Sequence, residues 1–172
     1  MSLTDKLNGI YFLETPLSVE KIVSNLGYRI DESNKNASWF FVPDIDYRNI
    51  QVDSSRMIVK RRNGVTRGPL PGAGNILVHF KETINGETRV IAEVKPDKTL
   101  FWVIIAFLIC FSAAQIWRAR DTKTILVVTA AWVVLAGMSY LLTILSRYLL
   151  KNYLQAIFSD IGINQSLEKT NV

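Results

Sequence analysis

Two long apolar runs dominate the pattern of the chain. Thr99–Trp117 and Thr124–Ser146 carry no ionisable side chain and are separated by the polar hexapeptide Arg118–Lys123. Each is close to the length of about 20 residues that an α-helix needs to cross the hydrocarbon core of a bilayer, so the pattern predicts a transmembrane helical hairpin over 99–146. A buried hairpin of a soluble protein is the competing reading. It calls for a polar stripe, and only Ser112, Gln115, Thr129, Ser139 and Thr143 interrupt the apolar positions.

The flanks carry shorter periods. Leu7–Glu14 mixes apolar and aromatic residues and stops before Thr15-Pro16, which predicts a strand. Ser18 then makes an N-cap; Val19, Ile22, Val23 and Leu26 recur on one face with Gly27 after them, giving an amphipathic helix over 18–26. Asp31–Ala37 is expected as a polar turn, Ser38–Val42 and Arg56–Arg62 as strands, and Gly68–Gly74 as a loop rich in proline and glycine.

Asn75–Thr83 and Glu87–Lys95 form the strongest hairpin signal. A two-residue Asn85-Gly86 turn would place core positions of one strand opposite outward positions of the other. A three-residue loop with Gly86 left-handed pairs Phe80 with Val90, Val78 with Ala92 and Ile76 with Val94, so that is the predicted turn. Beyond the second apolar run, Leu150, Tyr153, Leu154, Ile157, Phe158 and Ile161 mark another amphipathic helix ending at Gly162. Its polar face is poor in Lys and Arg, which favours packing on the sheet over lying on lipid headgroups. Ser166–Val172 is expected to fray.

The expected fold class is therefore α+β: a small antiparallel sheet with two amphipathic helices, interrupted by a transmembrane helical hairpin. The domains are 1–98, a strand, helix and further antiparallel strands; 99–146, the hairpin, with helices at 99–117 and 124–146; and 147–172, a helix folding back on the first domain plus a tail.

Composition narrows the chemistry. Of 172 residues one is Cys and one is His. Cys110 sits inside the first apolar run, so no disulfide framework or Cys-based metal site is expected, and His79 alone makes a Ser-His-Asp constellation improbable. No cofactor or metal is implied. Asp44-Ile45-Asp46 has the spacing of a metal-sugar-diphosphate ligand pair but reads better as a polar turn after Pro43. Gly72-Ala73-Gly74 lacks the features of a phosphate loop. Asn36 and Asn164 match glycosylation acceptors, incidental in a cytoplasmic domain. The net charge of +5 comes without an aromatic-basic stripe, which argues against nucleic acid.

Met1–Asn8 lacks the charged and apolar blocks of a cleaved signal peptide, so the first apolar run is expected to act as the targeting signal. The connector holds Arg118, Arg120 and Lys123, and the flanks hold Arg89, Lys95, Lys98, Arg147 and Lys151. That balance, and the need otherwise to translocate the whole of 1–98, places both termini in the cytoplasm, with the connector on the far side of the membrane. The basic connector leaves open a hairpin that dips into one leaflet.

Lys60, Arg61, Arg62 and Arg67 form a basic cluster that either contacts anionic lipid or a partner, or is a solvated strand end. Within the second run, Ala130, Ala131, Gly137 and Trp132 are candidates for helix–helix packing. Neither run has the ionisable residues of pumps and channels, which points to an anchor or assembly surface.

The T-P-L-S-V-E cap at Thr15–Glu20, the G-x-I-x-V-x-F run at Gly74–Phe80, the T-R-V-x-A-E-V run at Thr88–Val94 and the Tyr148–Phe158 helix together resemble uncharacterised two-span bacterial membrane proteins. Their soluble part is in turn similar to the START or polyketide-cyclase fold, a curved antiparallel sheet wrapped around a long C-terminal helix. That resemblance implies no catalytic residues, and the sheet read from this sequence is a strand or two shorter than that fold's, which counts against a full ligand cavity. Two functions follow as expectations. One is a non-enzymatic interaction or assembly subunit, a homo-oligomer or part of a membrane complex, with membrane lipids as further partners. The alternative is a START-like module binding a lipid or other apolar ligand at the membrane surface.

Overall fold

The structure, a computed structural model, describes residues 7–35, 45–61, 73–84, 86–118 and 122–169. The fold is α+β, and the chain divides into two compact units: residues 1–96 with 146–172, and residues 97–145.

The first unit is built on a six-stranded antiparallel sheet. In chain order the strands are β1 (Gly9–Thr15), β2 (Ile50–Asp53), β3 (Arg56–Arg61), β4 (Gly74–Glu82), β5 (Thr88–Pro96) and β6 (Glu168–Lys169), and their spatial order is β2-β3-β4-β5-β1-β6. Alternation sends every second side chain to one face, where Tyr11, Leu13, Met57, Val59, Ile76, Val78, Phe80 and Val90 are buried. The opposite face carries His79, Lys60, Arg89 and Lys95, all exposed, so His79 is an outward polar residue as its phase requires.

The β4–β5 register is the predicted one, with Phe80 opposite Val90, Val78 opposite Ala92 and Ile76 opposite Val94. The Thr83 N–H donates to the Glu87 carbonyl at 2.7 Å and the Gly86 N–H to the Thr83 carbonyl at 3.0 Å, closing the three-residue loop. Gly86 has φ of 76°, the left-handed conformation that the bulge needs.

Helix α1 (Val19–Lys35) starts where the cap predicts: the Ser18 hydroxyl accepts from the Lys21 N–H at 3.4 Å. It does not stop at Gly27. Ile30 extends the apolar face of Ile22 and Leu26 by another turn, and Gly27 sits on an open side, so nothing forces the helix to end there. Most of the expected polar turn at Asp31–Ala37 is thus helix. The expected strand Ser38–Val42 lies outside the described residues. A one-turn 3-10 helix at Tyr47–Asn49 leads into β2, an edge strand that the hydrophobic pattern does not announce.

Two helices follow β5: α2 (Thr99–Arg118) and α3 (Thr122–Asp160). The sequence pattern predicts a break near Ser146, yet α3 runs unbroken for 39 residues, about 58 Å at 1.5 Å per residue. No proline or glycine stands between Gly137 and Gly162, so the change from an all-round apolar surface to an amphipathic one occurs within a single helix. From Leu150 to Ile161 its apolar stripe lies in the core of the sheet. The helix ends where Gly162 takes φ of 92° and the Ile163 N–H reaches the Phe158 carbonyl at 2.8 Å, a Schellman closure.

The C-terminal segment is not frayed through residue 169. Ile163 and Leu167 are buried, the Gln155 side chain donates to the Gln165 carbonyl (2.7 Å) and accepts from the Leu167 N–H (2.9 Å), and β6 pairs with β1. Two apolar residues four apart are too short a signal for periodicity to register.

Candidate membrane surface and a buried cation

In the second unit the covered positions of α2 are Phe101 and Leu108, with Ile104, Ile105 and Ser112 half-buried on the same face. On α3 they are Ser139 and Thr143, with Val128, Trp132 and Ala136 half-buried. The Trp132 indole N–H donates to the Ser112 hydroxyl. The Ser139 hydroxyl donates to the Ala136 carbonyl (2.9 Å) and the Thr143 hydroxyl to the Ser139 carbonyl (2.9 Å), so both are satisfied by their own helix. Hydroxyls bonded in this way are tolerated where water is absent.

The remaining surface is hydrocarbon. Phe107, Ile109, Leu126, Val127, Val133, Val134, Met138 and Leu141 are each more than half exposed. A soluble monomer seldom shows a contiguous apolar patch beyond a few hundred Å². By length and composition α3 is one helix able to cross a membrane, whereas the described apolar part of α2, Phe101–Ala113, is shorter. Trp102 is half-exposed near the start of α2 and Tyr140 is partly exposed on α3; the side chain of Trp117 lies outside those described.

The four expected packing residues do not share one face. Ala130 and Gly137, seven apart, lie two turns from each other on an exposed side, with open space around Gly137; Ala131 is exposed but about 100° away, and Trp132 is turned to Ser112.

The basic cluster is also divided. Lys60 is exposed on the outer face of the sheet, whereas Arg61 is 7% exposed on the core face. Arg62 and Arg67 lie outside the described residues. The expectation of a common surface patch fails for Arg61 because strand alternation puts neighbours on opposite faces. The Arg61 guanidinium lies 3.9 Å from the centroid of the Tyr153 ring, and the Tyr153 hydroxyl accepts from the Asp46 N–H (3.0 Å) and donates to the Asp46 carbonyl (3.1 Å). Burial pulls the Arg61 pKa below the ordinary arginine value, with Tyr153 and Asp46 opposing the shift. The charge is retained all the same. Its Nη1 makes no hydrogen bond. A desolvated cation–π contact contributes about 2 kcal/mol, while an unpaired buried donor costs about 1–3 kcal/mol and more when charged, so the site is not self-sufficient.

The carboxylate of Asp46 is occupied nearby: it accepts from the Arg48 N–H and caps the 3-10 helix, and it takes Arg48 Nε at 2.8 Å and Asn49 Nδ2 at 3.1 Å. Asp46 thus has the polar-turn role, while Asp44, its partner in the spaced pair, lies outside the described residues.

At the far end of α3, the Tyr47 hydroxyl donates to Asp160 at 2.6 Å and Arg29 bridges the same carboxylate at 3.1 Å. A surface cavity of about 460 Å³ opens beside them, lined by Ser24, Asn25, Tyr28, Arg29, Asp160 and Ile161. Burial first, then the Asp160 carboxylate, raises the Tyr47 pKa well above its ordinary value of 10.0. The folded state therefore holds this proton more tightly than the unfolded state, and the stability it contributes is intact below pH 10 and lost as pH rises above it. Tyr47→Phe is expected to cost about 1–2 kcal/mol at pH 8 and to flatten the loss of thermal stability between pH 9 and pH 11, read by melting in detergent. An unchanged alkaline profile would place the titrating group elsewhere.

No protein-family model matches the sequence, and neither a curated protein nor a solved structure is significantly similar to it.

Proposed function

We propose that the chain is a non-enzymatic integral membrane protein of the bacterial inner membrane, anchored by a two-span hairpin of α2 and the apolar part of α3. Both termini face the cytoplasm, and the chain acts as an assembly subunit, with itself or within a larger membrane complex. The observation that carries the reading is the belt of exposed aliphatic and aromatic side chains around α2 and α3, which is stable in hydrocarbon and not in water. The face bearing Ala130 and Gly137 supports close approach of another helix.

A START-like ligand module is the second reading, supported by the six-stranded antiparallel sheet with a C-terminal helix in its core. Against it, the sheet and α3 meet through Val78, Ala92, Leu154 and Ile157, all fully buried, and these side chains fill the space that a ligand would need.

Native mass spectrometry of the detergent-solubilised protein separates the two. A discrete oligomer without retained lipid supports assembly; a monomer holding one lipid in its core supports the ligand module. Gly137→Leu is expected to weaken the oligomer by about tenfold or more, since a bulky side chain fills the open side of the helix. Topology is tested by labelling Arg120→Cys in a Cys110→Ser background from outside intact cells; failure to label removes the two-span arrangement.

A further inference from the structure

The outward side of an antiparallel sheet is polar at every second residue when that side meets only water. Here it is not. Five outward positions on four neighbouring strands are apolar: Ile58 on β3, Leu77 on β4, Ile91 on β5, and Ile10 and Phe12 on β1. The ladder makes them contiguous. Ile58 stands opposite Leu77, Ile91 stands opposite Phe12, and Leu77 and Ile91 are diagonal neighbours across the β4–β5 pair. The stripe therefore crosses the sheet from β3 to β1, three strand spacings or about 14 Å.

Cations border it on both sides. Before the stripe, Asn75 of β4 joins Lys60 to Lys95 in one row; after it, Lys81 stands beside Arg89. Asn75 and Lys81 are six residues apart on β4, about 20 Å, so an α-helix of about 10–12 Å diameter fits between the two rows with its apolar side on the stripe. The charges decide what kind of helix. Glu14, Asp53 and Glu93 are each held by a cation of the same face, Arg89 at 2.6 Å, Arg56 at 3.4 Å and Lys95 at 2.9 Å. Lys60 and Lys81, one in each bordering row, are in no ion pair among the described residues. Glu168, opposite Phe12 on β6, is the acid of this face that is left unpaired.

We propose that this face docks an amphipathic helix of a partner protein whose flanks are acidic, with Lys60 and Lys81 taking its carboxylates. The proposal deepens the assembly reading above and rests on it for the existence of a partner. Other occupants match the face less well. A second copy would bring the same two lysines and offer them Glu168 alone. A lipid surface takes up side chains that stand clear of the protein, and of the five only Ile10, at 43% exposure, does so, while anionic headgroups would also meet the three paired carboxylates.

The test uses the full chain in phosphatidylcholine nanodiscs and two labelled peptides of about 15 residues, one with leucine at helical spacing and glutamate elsewhere, the other with lysine in place of glutamate. Binding is read by fluorescence anisotropy against empty nanodiscs. Wild type is expected to bind the glutamate peptide about tenfold or more tightly than the lysine peptide, and Lys60→Glu combined with Lys81→Glu, both at exposed positions, to reverse that order. Leu77→Asp should abolish binding of both peptides; should that variant not fold, the double lysine variant decides. Equal affinity for the two peptides, binding of neither, or an unreversed order in the double variant overturns the proposal. A disulfide-linked dimer formed by Ile91→Cys in a Cys110→Ser background overturns it too, giving the face to a second copy. A chain that is a discrete oligomer by native mass spectrometry yet binds neither peptide overturns this inference and leaves the assembly reading standing.

Discussion

Phe158→Ala is expected to destabilise the sheet domain by about 3–5 kcal/mol, the range for removing a buried phenyl group and leaving a void behind it. Phe158 is fully buried, and it lies in one core with Ile22 and Leu26 of α1 and the inner face of the sheet. Most domains are stable by only about 5–15 kcal/mol, so the variant should approach the unfolding threshold. The readout is limited proteolysis of membrane fractions. Cleavage within 7–96 should accelerate by orders of magnitude while the chain still sediments with the membrane, because α2 and the apolar part of α3 are untouched. Unchanged protease resistance would mean that α3 does not close the sheet.

Leu135→Arg carries the second large effect. Leu135 stands at the middle of the apolar part of α3 and is 45% exposed. A charged residue at the centre of a spanning helix costs about 2.5–3.5 kcal/mol in insertion, roughly a hundredfold in the partition. The alkali-resistant membrane fraction of the variant should collapse, while Leu135→Ala should behave as wild type. Tyr148→Arg, beyond the apolar part and already exposed, should also leave insertion intact. If Leu135→Arg resists extraction as wild type does, α3 does not span.

Where strands and helices bury a regular stripe, the chain could be read from its letters. The β4–β5 register followed from phase alone, since a slip by one residue would have turned Phe80, Val78 and Ile76 away from Val90, Ala92 and Val94. The Ser18 cap and the Gly162 stop held for the same reason: each meets backbone groups that a helix end leaves unsatisfied. Gly27 misled because glycine ends a helix only when the apolar face ends with it, and Ile30 continued that face.

Edge strands escaped for lack of signal. Ile50–Asp53 has one buried residue and leans on β3 for its existence, and Glu168–Lys169 is a strand only because β1 offers an unpaired edge. Arg61 was legible and was overlooked. In RMIVKR the buried positions are Met57 and Val59, and the same alternation places Arg61 beside them, but a run of adjacent basic residues suggests a wet surface.

The division of the sheet domain between the two ends of the sequence has a consequence for synthesis. All strands but β6 are complete once Pro96 has emerged from the ribosome, yet until then only α1 can cover part of their apolar face, and the stripe of α3 that completes the core comes with residues 150–161. At about 5–20 residues per second, some 3–13 s separate these events, and in that interval it is the apolar segments 99–145 that emerge. The half-built sheet must therefore wait with its inner face covered only in part, by α1, and a ribosome stalled anywhere between Pro96 and Leu150 would leave a nascent chain that already carries an aggregation-prone surface. Chaperone demand during translation, more than the stability of the finished protein, is where this arrangement should be felt.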